Sequence, residues 1–215
     1  MNKALLNCLL LVGLVTVNNS VSAESNWQYW SSYTFSRSIN DNLEFKLKPE
    51  VRFFDDSRRH YYSQIDIGLD YKVSDWFTVS PYYCHIKEEK KGDWLNESRP
   101  HLNATFNCRM FGLKISDRNR FEYRITEAKD YFRYRNKLTF KFPKFTKFKI
   151  QPFIAEEPFY DFGADTFNKN RIYAGIDFEL LKNFKAGIYY ILEDSKSSGN
   201  WASSNILGTA LTYDF

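Results

Sequence analysis

Arg118, Arg120, Arg124, Arg133 and Arg135 crowd one short stretch of the chain, with Glu122 among them and Arg171 further on. A guanidinium is planar and permanently charged, and it grips carboxylate or phosphate through two parallel hydrogen bonds. Residues two apart share a face on an extended chain but not on a helix. If 111–125 and 131–142 pair as a hairpin across Thr126 to Asp130, these arginines meet on one surface whose chemistry is anion recognition.

A second arrangement concerns nucleophilic chemistry. Ser63 and His85 have the same outward parity on neighbouring segments, the pairing of nucleophile and base that a lipid hydrolase would need. No third orienting group is readable, and a histidine beside Tyr83 at a membrane rim has an ordinary interfacial use. His60, next to Arg58 and Arg59, reads as a loop cluster suited to lipopolysaccharide phosphates. His101 falls on the polar face. Metal-ligand spacings and glycine-rich phosphate loops are absent from the sequence, so no catalytic residue, metal or cofactor is expected. The net charge of +4 carries no single-sign tail, which excludes a nucleic-acid reading.

The elements that position these residues show a period of two. From Leu43 to Phe53 every odd residue is apolar or proline and every even one is charged, a pattern with two faces as a strand and none as a helix. The alternation recurs around Ile65 to Val73, Phe132 to Phe142 and Ile172 to Leu180. Eleven segments follow: 27–39, 43–54, 61–73, 77–87, 98–108, 111–125, 131–142, 148–157, 170–180, 184–194 and 205–215. Strands of soluble proteins average about five to six residues, whereas a tilted membrane-spanning strand needs about nine to eleven. Most of these segments meet the second length.

The composition agrees. The chain has 215 residues with 20 Phe, 15 Tyr and 5 Trp, yet its mean hydropathy is −0.52, which excludes a bundle of membrane helices. A small soluble barrel is filled by modest side chains and has no room for so many rings, whereas a lipid-facing wall does. Trp27, Trp30, Trp76, Phe77, Phe111, Phe184 and Trp201 fit interfacial aromatic girdles. The remaining face gathers Lys46, Lys48, Arg52, Asp66, Lys137, Lys141 and the arginines above into a predominantly basic lumen.

Residues 1–23 read as a signal peptide, with Lys3, an apolar stretch from Ala4 to Val17 and a Val21-Ser22-Ala23 cleavage site. This leaves 24–215 as the barrel. Tight turns at 40–42, 74–76, 109–110 and 181–183 alternate with long polar stretches at 88–97, 158–169 and 195–204, the expected short periplasmic turns and longer external loops. Cys84 faces inward near one end and Cys108 outward near the other, about 20 Å apart at the usual strand rise, so two free thiols are expected. Bacterial barrels generally close with an even strand number. A separate short strand over 24–30 would make twelve, the preferred number, and loss of the first segment would leave ten.

Several motifs carry a resemblance. Tyr71-Lys72-Val73-Ser74-Asp75-Trp76, Gly92-Asp93-Trp94 through Arg99-Pro100, Arg118-Asn119-Arg120-Phe121-Glu122-Tyr123-Arg124, Arg133-Tyr134-Arg135-Asn136-Lys137, Gln151-Pro152-Phe153 and Asn170 to Gly175 stand in one order. With the closing Gly208 to Phe215 they resemble the uncharacterised domain-of-unknown-function family numbered twenty-four ninety, whose members look like bacterial outer-membrane β-barrels. The resemblance implies fold and location but no activity, and the terminal strand ending in Phe215 resembles the one that the barrel-assembly machinery recognises. The expected protein is an outer-membrane barrel acting as a small passive channel for anionic solutes, in contact with outer-membrane lipid and lipopolysaccharide. A surface-interaction barrel with a charge-plugged lumen and a lipid-modifying hydrolase are the alternatives.

Overall fold

The computed structural model describes residues 26–54, 59–147, 149–197 and 199–215. The expected signal peptide and Arg58 lie outside the described residues. Among the described residues eleven strands follow in order. They are β1 (Asn26–Asn40), β2 (Leu43–Phe54), β3 (Arg59–Ser74), β4 (Phe77–Lys90), β5 (Asp93–Met110) and β6 (Leu113–Thr126), then β7 (Tyr131–Lys141), β8 (Gln151–Asp161), β9 (Thr166–Leu181), β10 (Phe184–Ser197) and β11 (Asn200–Asp214). They form one closed all-β barrel in which each strand pairs with its neighbours in sequence.

Closure corrects the expected twelve. Residues 26–30 are not a separate strand but the start of β1, which runs parallel to β11 from Asn26 opposite Ser204 to Ser36 opposite Asp214. All other pairs are antiparallel. First and last strands running the same way forbid an antiparallel seam but not a parallel one, so eleven strands close.

The expected long external loops are also corrected. The polar stretch 88–97 continues as strand on both sides of a two-residue turn, 195–204 is strand from Ser195 to Ser197 and from Asn200 on, and 158–169 keeps only 162–165 as a turn. Lys91 and Gly92 both have positive φ, 56° and 94°, the geometry of a tight turn whose twist matches the flanking strands. The polarity of these stretches therefore marks strand that projects beyond the apolar belt, not loop. The longest connection among the described residues, 142–150, lies at the opposite end, between β7 and β8.

Parity sorts the side chains. The outer wall carries Ile65, Ile67, Leu102, Phe121, Ile154, Ile172, Ile188 and Leu207, all substantially exposed. Trp27, Trp76 and Phe111 are exposed on the outer surface. Trp30 is not, which corrects its expected place. It pairs with Arg52 and Gly208 on the inward face and is only 3% exposed. Space for such rings inside the barrel comes from glycine: a Cβ on Gly208 would overlap the Tyr189 ring. Trp30, Tyr173, Ile191 and Ile206 form one interior apolar cluster, and Tyr61, Tyr62, Cys84 and Ile86 form another.

Candidate lumen site

Inward parity on adjacent strands brings charged side chains face to face. Arg120 of β6 sits opposite Arg135 of β7, Glu122 opposite Arg133, and Glu157 of β8 opposite Arg171 of β9. Like charges directly opposed on a ladder repel, so each cluster needs a shared counter-charge. Glu122, wholly buried, supplies the first. Its Oε2 accepts from Arg133 at 2.6–2.7 Å and its Oε1 from Arg135 at 2.9 Å, while Arg120 and Arg99 stand 3.6 and 3.9 Å away. Glu157 supplies the second, accepting from Arg118 at 2.6 Å, Arg135 at 2.8 Å and the Tyr173 hydroxyl at 2.6 Å. Arg135 thus bridges the two carboxylates.

The remaining arginines are clamped as firmly. Arg124 forms a two-toothed contact with Glu97 at 2.5 and 2.6 Å, and Arg171 bonds Glu193 at 2.6 Å beside Lys169. Aromatic faces hold the guanidinium planes: Arg52 lies 3.6 Å from the Trp30 ring centroid and 3.9 Å from that of Tyr62. Phe159 lies beneath Arg133, Arg135 and Arg171. Such contacts contribute roughly 0.5–2 kcal/mol each, most where water is excluded.

All six expected arginines, Arg118, Arg120, Arg124, Arg133, Arg135 and Arg171, line one polar cavity of about 650 Å³. Its walls carry thirteen Lys and Arg side chains against five Asp and Glu. A second cavity of about 310 Å³ adjoins it, sharing Asp177 and Ala210, and opens among Lys141, Lys144, Lys149 and Lys185. The partners Glu97, Arg99, Glu157 and Glu193 are not in the sequence expectation: Glu97 lies in the stretch 88–97 expected as a loop, and the other three lie in expected strands without being assigned to the lumen face. Carrying the parity of Phe153 and Ala155 one step further would have placed Glu157 inside.

The histidines divide. His101 faces the lumen as expected, stacked on Tyr82 with ring centroids 5.5 Å apart and its Nε2 3.7 Å from Asp66 Oδ2. His60 belongs to strand β3 and not to a loop, with its ring near Phe53 and Trp94 on the outer face. Ser63 lies opposite Lys87 and His85 opposite Ile65, and the Ser63 hydroxyl meets His60 Nε2 at 2.8 Å. That nitrogen also lies 3.0 Å from the Tyr62 carbonyl. Cys84 is buried inside, Cys108 sits on the outward ladder position of β5, and both are free. No group of metal-ligating side chains occurs among the described residues.

These features define the class: a closed β-barrel with an apolar outer wall and a basic, ion-paired lumen. Residues 27–204 match the family described as protein of unknown function (DUF2490), and the chain belongs to that family. No curated protein matches the chain.

Proposed function

We propose that this protein is a bacterial outer-membrane barrel whose lumen passes small anionic solutes. The observation that carries the reading is the thirteen-to-five excess of basic over acidic side chains around a cavity that adjoins a second, lysine-rich one. Rings of fixed charge in a narrow passage select ions of opposite sign. The exposed apolar wall supports a lipid environment, because soluble proteins rarely expose contiguous apolar patches above a few hundred Å².

A second reading, a closed barrel serving as a surface or structural element, is favoured by the buried ion-pair layer around Glu122. Planar-bilayer recording of the refolded protein under a salt gradient separates the two. The conduit reading expects a current with a reversal potential on the anion side. Silence at every voltage, or cation preference, rejects it.

A further inference from the structure

The arginines of the lumen are tied to carboxylates, but two half-buried lysines on the same cavity wall are not. Lys48 and Lys137 have no carboxylate within ion-pair distance among the described residues. Each rests on a tyrosine ring instead: Lys48 Nζ is 4.2 Å from the Tyr82 centroid and Lys137 Nζ 3.5 Å from that of Tyr173. A ring face holds an ammonium more loosely than a charged partner does, so an arriving oxyanion competes for it readily.

Each lysine also has an unmatched neighbour directly across the ladder. Lys137 faces Arg118, whose buried Nε donates to nothing, although its Nη2 is held by Glu157. Lys48 faces Asp66, which is 4% exposed and whose Oδ1 accepts from nothing. One pair thus offers a donor from each of two cations, and the other offers a donor and an acceptor. Both pairs line the one cavity. Buried hydrogen-bonding atoms without partners are costly, and a ligand that matches them recovers that cost.

We propose that these four residues form a two-part solute site for a small hydroxylated oxyanion, a sugar phosphate or sugar acid. The anionic group sits on Lys137 and Arg118 Nε, and a hydroxyl bridges Lys48 Nζ and Asp66 Oδ1, accepting from the first and donating to the second. The site deepens the conduit reading and rests on it for its role in passage, but its occupancy is measurable without current.

Calorimetry on the refolded chain in detergent micelles, with glucose 6-phosphate, gluconate, inorganic phosphate and glucose as probes, tests it. The expected result is tighter binding of at least one of the first two than of phosphate, and none of glucose. Lys137→Met should weaken every anion at least tenfold. Asp66→Asn should bring the hydroxylated anions down to the level of phosphate while leaving phosphate unchanged. Binding by Lys48→Met and Lys137→Met equal to the unsubstituted chain overturns the site, as does phosphate binding as tightly as both hydroxylated anions. Gluconate and glucose 6-phosphate compared with each other identify carboxylate or phosphate as the preferred head group. If a variant fails to refold, lysine acetylation of the unsubstituted chain decides: glucose 6-phosphate or gluconate should protect Lys48 and Lys137 but not Lys182 in the β9–β10 turn, and equal labelling rejects the site. Current without lysine-dependent binding removes the site and leaves the conduit. Lysine-dependent binding without current removes the conduit and leaves the site.

Discussion

Replacing Glu122 by Gln keeps the volume of the side chain and removes the charge on which the first arginine cluster depends. Glu122 is wholly buried, and Arg133 and Arg120 are each only 9% exposed, so little water is at hand to take over from the carboxylate. Three guanidinium nitrogens stand within hydrogen-bond range of it, from Arg133 through Nε and Nη2 and from Arg135 through Nη1. An intact buried ion pair roughly breaks even against its desolvation, but removing one partner strands the other, typically at about 3–5 kcal/mol. The upper part of that range applies here, because Arg120 and Arg99 lose the same counter-charge at longer distance.

Urea titration of the barrel refolded in detergent, followed by tryptophan fluorescence, measures the loss. Lys185→Met provides the comparison within the same fold, since the Lys185–Asp214 pair at 2.7 Å has side chains 47% and 36% exposed and such pairs contribute about 0–1 kcal/mol. The double variant Glu122→Gln with Arg133→Met should be destabilised by less than the sum of the single changes, with coupling on the order of 0.5–3 kcal/mol. A Glu122→Gln protein within about 0.5 kcal/mol of the parent would show that the layer is solvated, and the electrostatic account of the lumen would fall.

Other consequences are direct. Mass spectrometry of the unreduced protein should find Cys84 and Cys108 both as free thiols, and a bond between them would contradict the register. Cysteines placed at Ser31 and Thr209, neighbours across the parallel seam, should be joined by a short thiol-reactive crosslinker. Failure with Ser31 but capture with a cysteine at another β11 position would move the closure. Gly208→Ala should destabilise the barrel by about 1–3 kcal/mol in the same urea assay, because the new methyl meets the Tyr189 ring. No measurable loss would mean that the ring moves aside freely.

Much of this architecture is legible in the alternation of the chain, because a strand that separates an apolar outer wall from a polar lumen must alternate without interruption. Lys48, Asp66, Lys137 and the six arginines all fall on the inward face that parity assigns them. What alternation does not carry is the vertical extent of a strand. Glu97 sits where polarity rises on both faces, and there a strand beyond the apolar belt and a loop have the same composition. Trp30 shows a different limit. Its type suits a membrane interface, but its parity, and an inward glycine opposite it, put it under Arg52 and Arg171. For a residue with both an apolar face and a polar edge, position on the ladder outweighs side-chain type.

The division of labour in the lumen follows from the geometry of the two cations. A guanidinium can satisfy two carboxylates and a ring at once, as Arg135 does with Glu122, Glu157 and Phe159. Arginine therefore builds a rigid charged wall whose carboxylate partners are held on several sides. Lysine is a compact point charge on a flexible stem, and resting on a tyrosine leaves its ammonium protons free to turn toward an incoming anion. A lumen that only needed filling would pair these lysines with the carboxylates as well. Shared carboxylates hold the arginines, Glu122 with Arg133 and Arg135 and Glu157 with Arg118 and Arg135, while Lys48 and Lys137 are left to tyrosine faces, the two half-buried cations on which the proposed solute site rests.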